Sequence, residues 1–209
     1  MRSTFSKSLG AAALALTILA LTGCASDNKE LPPQMTQTLA DMRDDLMKSK
    51  GQVQTTTSAA RDLIQRPQSN VQPQIDRLVQ NVDMLDRMAT NNNRQQFASA
   101  DERAQAYFAH WDQQLQTMSK SMAETGQQRR TDSMRTHEEL KKRVDELRAE
   151  FRPFMTKMNE ISRYLKTDSS AAGVKAVTPQ IKEALDYEKD VMSKADAVIK
   201  QIDSMRAGG

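Results

Sequence analysis

Cys24 is the only cysteine in the chain, and it follows an apolar stretch near the start of the sequence. A lone cysteine cannot close an internal disulfide, so its thiol is available for other chemistry. That thiol is a nucleophile that can take a diacylglyceryl group as a thioether. The small residues Thr22 and Gly23 leave room for a peptidase at the next bond. We therefore predict lipid attachment at Cys24 and signal-peptidase cleavage between Gly23 and Cys24.

The residues before Cys24 predict a secretory signal peptide over residues 1–23. Two basic residues and no acidic residue open the segment, and its apolar core runs from about Leu9 to Leu21. This core is shorter than the roughly 20 apolar residues of a membrane-spanning helix, so an uncleaved anchor is the less favoured alternative. The end of the segment and the cysteine together resemble a bacterial lipobox, Leu21-Thr22-Gly23-Cys24.

The residues after the lipobox predict a location and a tether. Ala25 follows the cysteine, whereas an aspartate there would resemble an inner-membrane retention signal. We therefore expect the outer membrane of the cell envelope, with the protein facing the periplasm. Residues 24–33 are polar and end in two prolines, which predicts a short tether. At about 3.4 Å per residue it reaches about 30 Å, so the folded body must lie close to the membrane.

The rest of the chain offers few groups for catalysis. The sequence has no nucleophile elbow, phosphate-binding loop or HExxH motif, and His110 and His137 are its only histidines. The neighbouring acids Asp44-Asp45 and Asp101-Glu102 point in different directions on a helix, so neither forms a carboxylate pair. We predict no enzymatic activity, no cofactor and no metal site, and we interpret both histidines as packed or partly exposed side chains.

Methionine is abundant, with 13 residues in the chain. Three pairs are about one helical turn apart in sequence: Met84/Met88, Met118/Met122 and Met155/Met158. Thioethers suit Cu(I), but methionine also fills irregular gaps in helical cores. We favour core filling, and a ligand- or copper-binding module between helices is the alternative function.

The charges of the chain nearly balance. It has 30 basic and 27 acidic residues, and the predicted signal peptide removes two of the basic ones, Arg2 and Lys7. A nearly neutral mature chain gives no support to nucleic-acid binding. The stretch from Lys120 to Lys166 is more basic, which we interpret as a solvated helix surface, with a face for anionic lipid or glycan as the alternative.

Composition and periodicity predict an all-α protein. Glycine, proline and aromatic residues are scarce, which favours helices over strands. Apolar residues recur at alternating spacings of three and four in about five stretches, the clearest running from His137 to Leu165 with Pro153 inside it. Each helix has only a narrow apolar stripe, or seam, which it must bury against the seams of neighbouring helices. We therefore predict an elongated, antiparallel, coiled-coil-like bundle over residues 34–206, followed by a disordered tail at 207–209.

Two boundaries are harder to place. Residues 94–167 could form one long helix, or a hairpin centred near Gly126, where the apolar rhythm fails; we favour the hairpin. In that hairpin Met118 and Met134 should lie side by side. The fifth helix is predicted to begin at Thr178-Pro179, a cap followed by proline, after the loop TDSSAAG.

Several short motifs in the second half of the chain resemble a family of bacterial helical lipoproteins known as a domain of unknown function. They are Phe108 with Trp111, RRTDSM at 129–134, PFM at 153–155 and YLK at 164–166. The resemblance covers roughly Tyr107 to Ile202. It implies a lipidated, all-α envelope protein and transfers no catalytic residue. We therefore expect a scaffold or docking module for another envelope component, whose identity and oligomeric state the sequence does not indicate.

Overall fold

A computed structural model describes residues 33–90 and 94–207, which form five α-helices. They are α1 (Pro33–Gln65), α2 (Gln72–Met88), α3 (Arg94–Leu115), α4 (Lys120–Thr167) and α5 (Ala171–Ala207). No strand occurs in these two ranges, so the prediction of an all-α bundle of about five helices is confirmed. The predicted signal peptide, the lipobox, the tether up to residue 32 and the last two residues lie outside the described part of the chain.

The five helices form four parallel-sided rows, each antiparallel to the rows beside it, because α2 and α3 lie end to end in one row. Gln52 of α1 donates to Asn81 of α2 at 3.1 Å, and near the other end of that helix pair Gln74 of α2 donates to Asp62 of α1. Helices α2 and α3 follow one another along α4, so together they form one interrupted row. Helix α5 returns antiparallel to α4 and packs on α1. The result is a four-helix bundle with a break in one row.

The predicted apolar seams form the core of this bundle. The seam of α1 is buried throughout its middle, and its two polar members, Ser49 and Thr56, are also buried. Their hydroxyls donate to the carbonyls of Asp45 and Gln52, four residues earlier, so neither hydroxyl is left without a partner. On α4 the seam from His137 to Leu165 is buried except for Phe151, which is partly buried against the core, and Pro153 lies inside the helix as predicted.

A hairpin joins α3 and α4, but its turn is at residues 116–119 and not at Gly126. The amides of Thr117 and Met118 donate to the carbonyls of Gln114 and Leu115, which closes α3. Ser119 is extended and starts α4. The single long helix is therefore wrong, and so is the predicted contact between Met118 and Met134.

Gly126 has a different role from the one that the sequence predicted. It lies inside α4 facing Leu115 and Trp111 of α3, and a side chain at this position would run into Leu115. The missing side chain allows the two helices to approach closely. The apolar periodicity therefore fails near Gly126 at a position where two helices are in close contact, and not at a turn.

Helix α5 begins seven residues before the predicted Thr178-Pro179. Ser170 starts it: the Ser170 hydroxyl accepts from the amide of Gly173 at 3.1 Å, and Asp168 in turn accepts from the Ser170 hydroxyl at 2.6 Å. The first of these bonds gives the amide of Gly173, in the first turn of the helix, a side-chain partner, so the helix can start before the proline. Pro179 then sits inside α5, and the predicted loop is reduced to residues 168–170.

The α3–α4 connection extends past one end of the four-helix body. Arg103 of α3 donates to Thr38 of α1 at 2.9 Å, and Gln201 of α5 donates to the carbonyl of Thr136 on α4 at 3.5 Å. From those levels α1 and α5 have only a few residues left, whereas the hairpin continues. At 1.5 Å per residue, its turn lies roughly 15 Å past Pro33. We call residues 105–135 the projecting hairpin and the rest of the described chain the body.

Candidate functional site

Arg130 is the central side chain of the projecting hairpin. Its side chain is only 15% exposed, and its Nη2 lies 2.6 Å from Oδ2 of Asp112 on α3. Its guanidinium stands 5.9 Å from the centre of the Phe108 ring, and Nε donates to the Phe108 carbonyl at 3.4 Å. The planar, permanently charged guanidinium thus binds a carboxylate, an aromatic face and a carbonyl on the neighbouring helix. These contacts fasten the two helices of the hairpin together.

A charged cluster lies where the projecting hairpin meets the body. Nε2 of the buried His137 is 2.9 Å from Oδ1 of Asp101, and Lys141 Nζ approaches the same oxygen at 3.3 Å. The hydrogen bond with His137, followed by the contacts with Lys141, lowers the pKa of the Asp101 carboxyl. The hydrogen bond to Asp101 raises the pKa of Lys141 in turn. This cluster connects α3 to α4, and its hydrogen bonds and charge interactions stabilise the base of the projecting hairpin.

A groove with a volume of about 310 Å³ opens in the body where α2 ends and α3 begins. Its floor is apolar and comes from all four rows, with Leu46, Val53, Leu85, Phe97, Val144, Leu147, Phe151 and Val191 among the lining residues. We call this feature the central groove. A concave, mostly apolar site of this size can bury a small molecule or one large side chain of a partner.

Three basic side chains, from α1 and α4, line the central groove. Lys50 pairs with Asp196, and Arg148 pairs with Asp145 at 3.0 Å while its guanidinium lies 5.4 Å from the Phe97 ring. Arg152 also lines the groove, and no ion pair to Arg152 occurs among the residues that the structure describes. An apolar floor with a cationic edge suits a ligand that has an apolar body and an anionic group.

The methionine pairs do not behave alike. Met155 and Met158 are buried in the body, as core filling predicts. Met84, Met118 and Met122 are exposed, so for these three the prediction is wrong. The turn at 116–119 also separates Met118 from Met122, which therefore do not share one helix. In the described ranges, no group of three or more His, Cys, Asp and Glu side chains is placed to hold a metal ion.

The family described as a protein of unknown function (DUF2959) matches residues 31–206. The chain belongs to this family. The match starts just before α1 and ends just before the end of α5, so the family unit is the whole five-helix bundle and not only the part from Tyr107 to Ile202. No curated protein and no solved structure matches the chain.

The predicted lipid-attachment residues Leu21, Thr22, Gly23 and Cys24 all lie outside the described residues. From Pro33 onward, with residues 91–93 excepted, no helix up to Ala207 is both long and apolar enough to cross a membrane.

Sequence reasoning missed the residues that hold the projecting hairpin and form the central groove. Arg130 and Asp112 are 18 residues apart, and the apolar periodicity carries no signal for such a pair. The groove depends on the break between α2 and α3, which the sequence showed only as the run of asparagines at 91–93.

Proposed function

We propose that the chain is a lipid-anchored protein of the bacterial cell envelope, attached through Cys24, whose helical bundle is a non-enzymatic docking module for another envelope component. The observation that supports this most directly is the position of Pro33. It begins α1 at one end of the bundle, nine residues after Cys24. An anchor at Cys24 would therefore hold the bundle by one end.

If the bundle is attached by one end, its length determines how far each part of it lies from the membrane. Helix α1 has 33 residues, and it spans about 50 Å at 1.5 Å per residue. Ion pairs between rows, including Arg43 with Asp203 at 2.7 Å and Lys194 with Glu146 at 2.9 Å, add to the apolar core along this length. Such a body would keep the central groove at a set distance from the membrane, where a protein partner can reach it.

The anchor is tested by replacing its nucleophile. Cys24→Ser should abolish metabolic labelling with a fatty acid and prevent stable attachment through acyl chains. The wild-type protein should separate with outer-membrane fractions in a density gradient. Persistent tight membrane association of the unlabelled variant would support an uncleaved helix and contradict the lipid anchor.

The docking function is tested by placing photo-crosslinking residues in living cells. Phe97 and Met192 line the central groove, and Tyr164 is an exposed position on α4 outside the groove. We expect the same envelope protein to be crosslinked from both groove positions and not from Tyr164. Equal crosslinking from all three positions would show that the groove is not a specific docking surface.

The central groove also supports a second candidate function, the binding of a small anionic amphiphile. Its volume of about 310 Å³ and the position of Arg152 among its lining residues are the specific observations that favour this candidate. A fluorescent fatty acid is a suitable probe. Arg152→Gln should weaken its binding several-fold, because the variant removes a positive charge from the edge of the groove. Arg163→Gln, an exposed change on the same helix outside the groove, is the matched control, and equal affinities would exclude the groove as the binding site.

A further inference from the structure

Two exposed methionines lie at the end of the projecting hairpin. Met118, in the turn, is 41% exposed, and Met122, in the first turn of α4, is 62% exposed. The residues between them, Ser119, Lys120 and Ser121, are also exposed. Large apolar side chains at a projecting end are positioned to enter another phase or another surface.

The place where the N-terminal segment joins the bundle indicates which surface this is. Pro33 is at the same end of the body as the projecting hairpin, and the turn lies roughly 15 Å beyond it. The nine residues from Cys24 to Pro33 can span at most about 30 Å. If Cys24 is anchored in a bilayer and the bundle stands upright, the turn is therefore within reach of the lipid surface.

The charges at this end fit a weak contact with lipid. Residues 113–127 contain one basic residue, Lys120, and one acidic residue, Glu124, so this segment has no net charge. A contact of this kind would depend on apolar burial and only slightly on salt, unlike the binding of a basic helix to anionic lipid.

We propose that the end of the projecting hairpin, which is the α3–α4 turn and the first turn of α4 at residues 116–123, rests on the lipid surface in which Cys24 is anchored, with the side chains of Met118 and Met122 in the interfacial region. This inference rests on the proposed lipid anchor. The body then has two attachments to the membrane, the acyl chains and the hairpin turn. Together they set the orientation of the bundle and the direction in which the central groove faces.

The experiment uses the lipidated protein, reconstituted into vesicles of phosphatidylethanolamine and phosphatidylglycerol. Since Cys24 is then a thioether, a cysteine introduced by Met122→Cys is the only thiol and can carry an environment-sensitive fluorophore. Met84→Cys is the matched control, because Met84 is 44% exposed on the side of the body. We expect lipid-borne nitroxide to quench the fluorophore at position 122 and aqueous iodide to quench the one at position 84.

A second set of variants reports on the methionines themselves. The fluorophore is attached through Ser121→Cys, with and without the changes Met118→Ser and Met122→Ser. We expect lipid-borne quenching at position 121 to be largely lost in the protein that lacks Met118 and Met122; unchanged quenching would show that these two side chains do not make the contact.

The outcomes separate the failure of this inference from the failure of the anchor. If the protein floats with the vesicles and position 122 is quenched by iodide as strongly as position 84, the anchor stands and the hairpin contact is wrong. If Cys24 of the cellular protein has a titratable thiol and the protein does not float with vesicles, the proposed function fails and this inference fails with it.

Discussion

The body and the projecting hairpin share α3 and α4, but they are stabilised by different forces. In the body, α4 packs between α5 and the row formed by α2 and α3, and Phe154, Met158 and Ile161 are almost completely buried. In the projecting hairpin α4 has only α3 beside it, and Phe108 and Leu115, the buried apolar residues of this part of α3, are separate from the main core. The same helix therefore passes from a four-row core into a two-helix contact.

This difference shows what a pair of helices requires when little apolar surface is buried between them. A fully buried apolar side chain contributes about 1.5–3 kcal/mol, and the body contains many of them. The projecting hairpin compensates with Arg130 and its partners and with a close approach at Gly126. We expect the hairpin to open locally at a lower free energy than the body unfolds.

The largest expected effect comes from the core of the body. Phe154→Ala should lower the free energy of unfolding by about 3–5 kcal/mol, because the ring is completely buried among the rows. Urea denaturation followed by circular dichroism measures this loss. Tyr164→Ala, on an exposed position of the same helix, should cost less than about 1 kcal/mol. Equal losses for the two variants would mean that the body is not the tightly packed part.

The second effect concerns the register of the hairpin. The pair Leu115→Cys and Gly126→Cys should form a disulfide within the monomer, because these positions face each other across the two helices. Closing this short loop should stabilise the hairpin by about 2–3 kcal/mol against local opening, as measured by hydrogen exchange. The pair Met118→Cys and Met134→Cys should not oxidise. Oxidation of the second pair alone would restore a turn near Gly126.

The sequence predicted the body well because its core is periodic. The seams of α1, α2, α4 and α5 recur at spacings of three and four, and this periodicity places Leu78, Ile161 and Val198 in the core without any knowledge of the partner helices. Polar members such as Thr56 did not obscure the pattern, since they occupy positions within it.

The sequence predicted the hairpin poorly because its stability depends on contacts between individual residue pairs, which the apolar periodicity of the sequence does not reveal. Gly126 was interpreted as a helix end, but here the missing side chain serves a close contact with Leu115. The start of α5 was misplaced for a related reason: the Thr178-Pro179 signal is strong locally, but the bonds at Ser170 start the helix first. The central groove arises from the break in one row, which no single helix pattern describes.

The third effect tests the polar fastening of the hairpin. Arg130→Ala should lower the free energy of local opening by about 1–2 kcal/mol, because it leaves Asp112 and the Phe108 carbonyl without their guanidinium partner. Hydrogen exchange of amides in residues 105–135 should accelerate, with little change in the body. Arg135→Ala is the control, as its side chain is 71% exposed. Faster exchange throughout the body would show that hairpin and body open together.

The smallest effect is the pH dependence that Asp101 gives to the base of the hairpin. The hydrogen bond with His137 lowers the pKa of Asp101 in the folded protein. A carboxyl with a lowered pKa stabilises the folded state above its unfolded value of about 3.9, and this contribution is lost as the pH falls through the folded value. Because the group is partly exposed, the contribution should be below about 1 kcal/mol.

Asp101→Asn measures this contribution directly. The melting temperature of the variant should lie slightly below that of the wild type near neutral pH, and the gap should narrow as the pH falls below about 4, where the wild-type carboxyl becomes protonated and resembles the neutral amide. Glu102→Gln removes a negative charge from the next, exposed residue of α3 and controls for the change in net charge. A gap for Asp101→Asn that stays constant or widens in acid would show that the contact with His137 does not depend on the carboxylate charge, and the base of the hairpin would then be held by packing, as the body is.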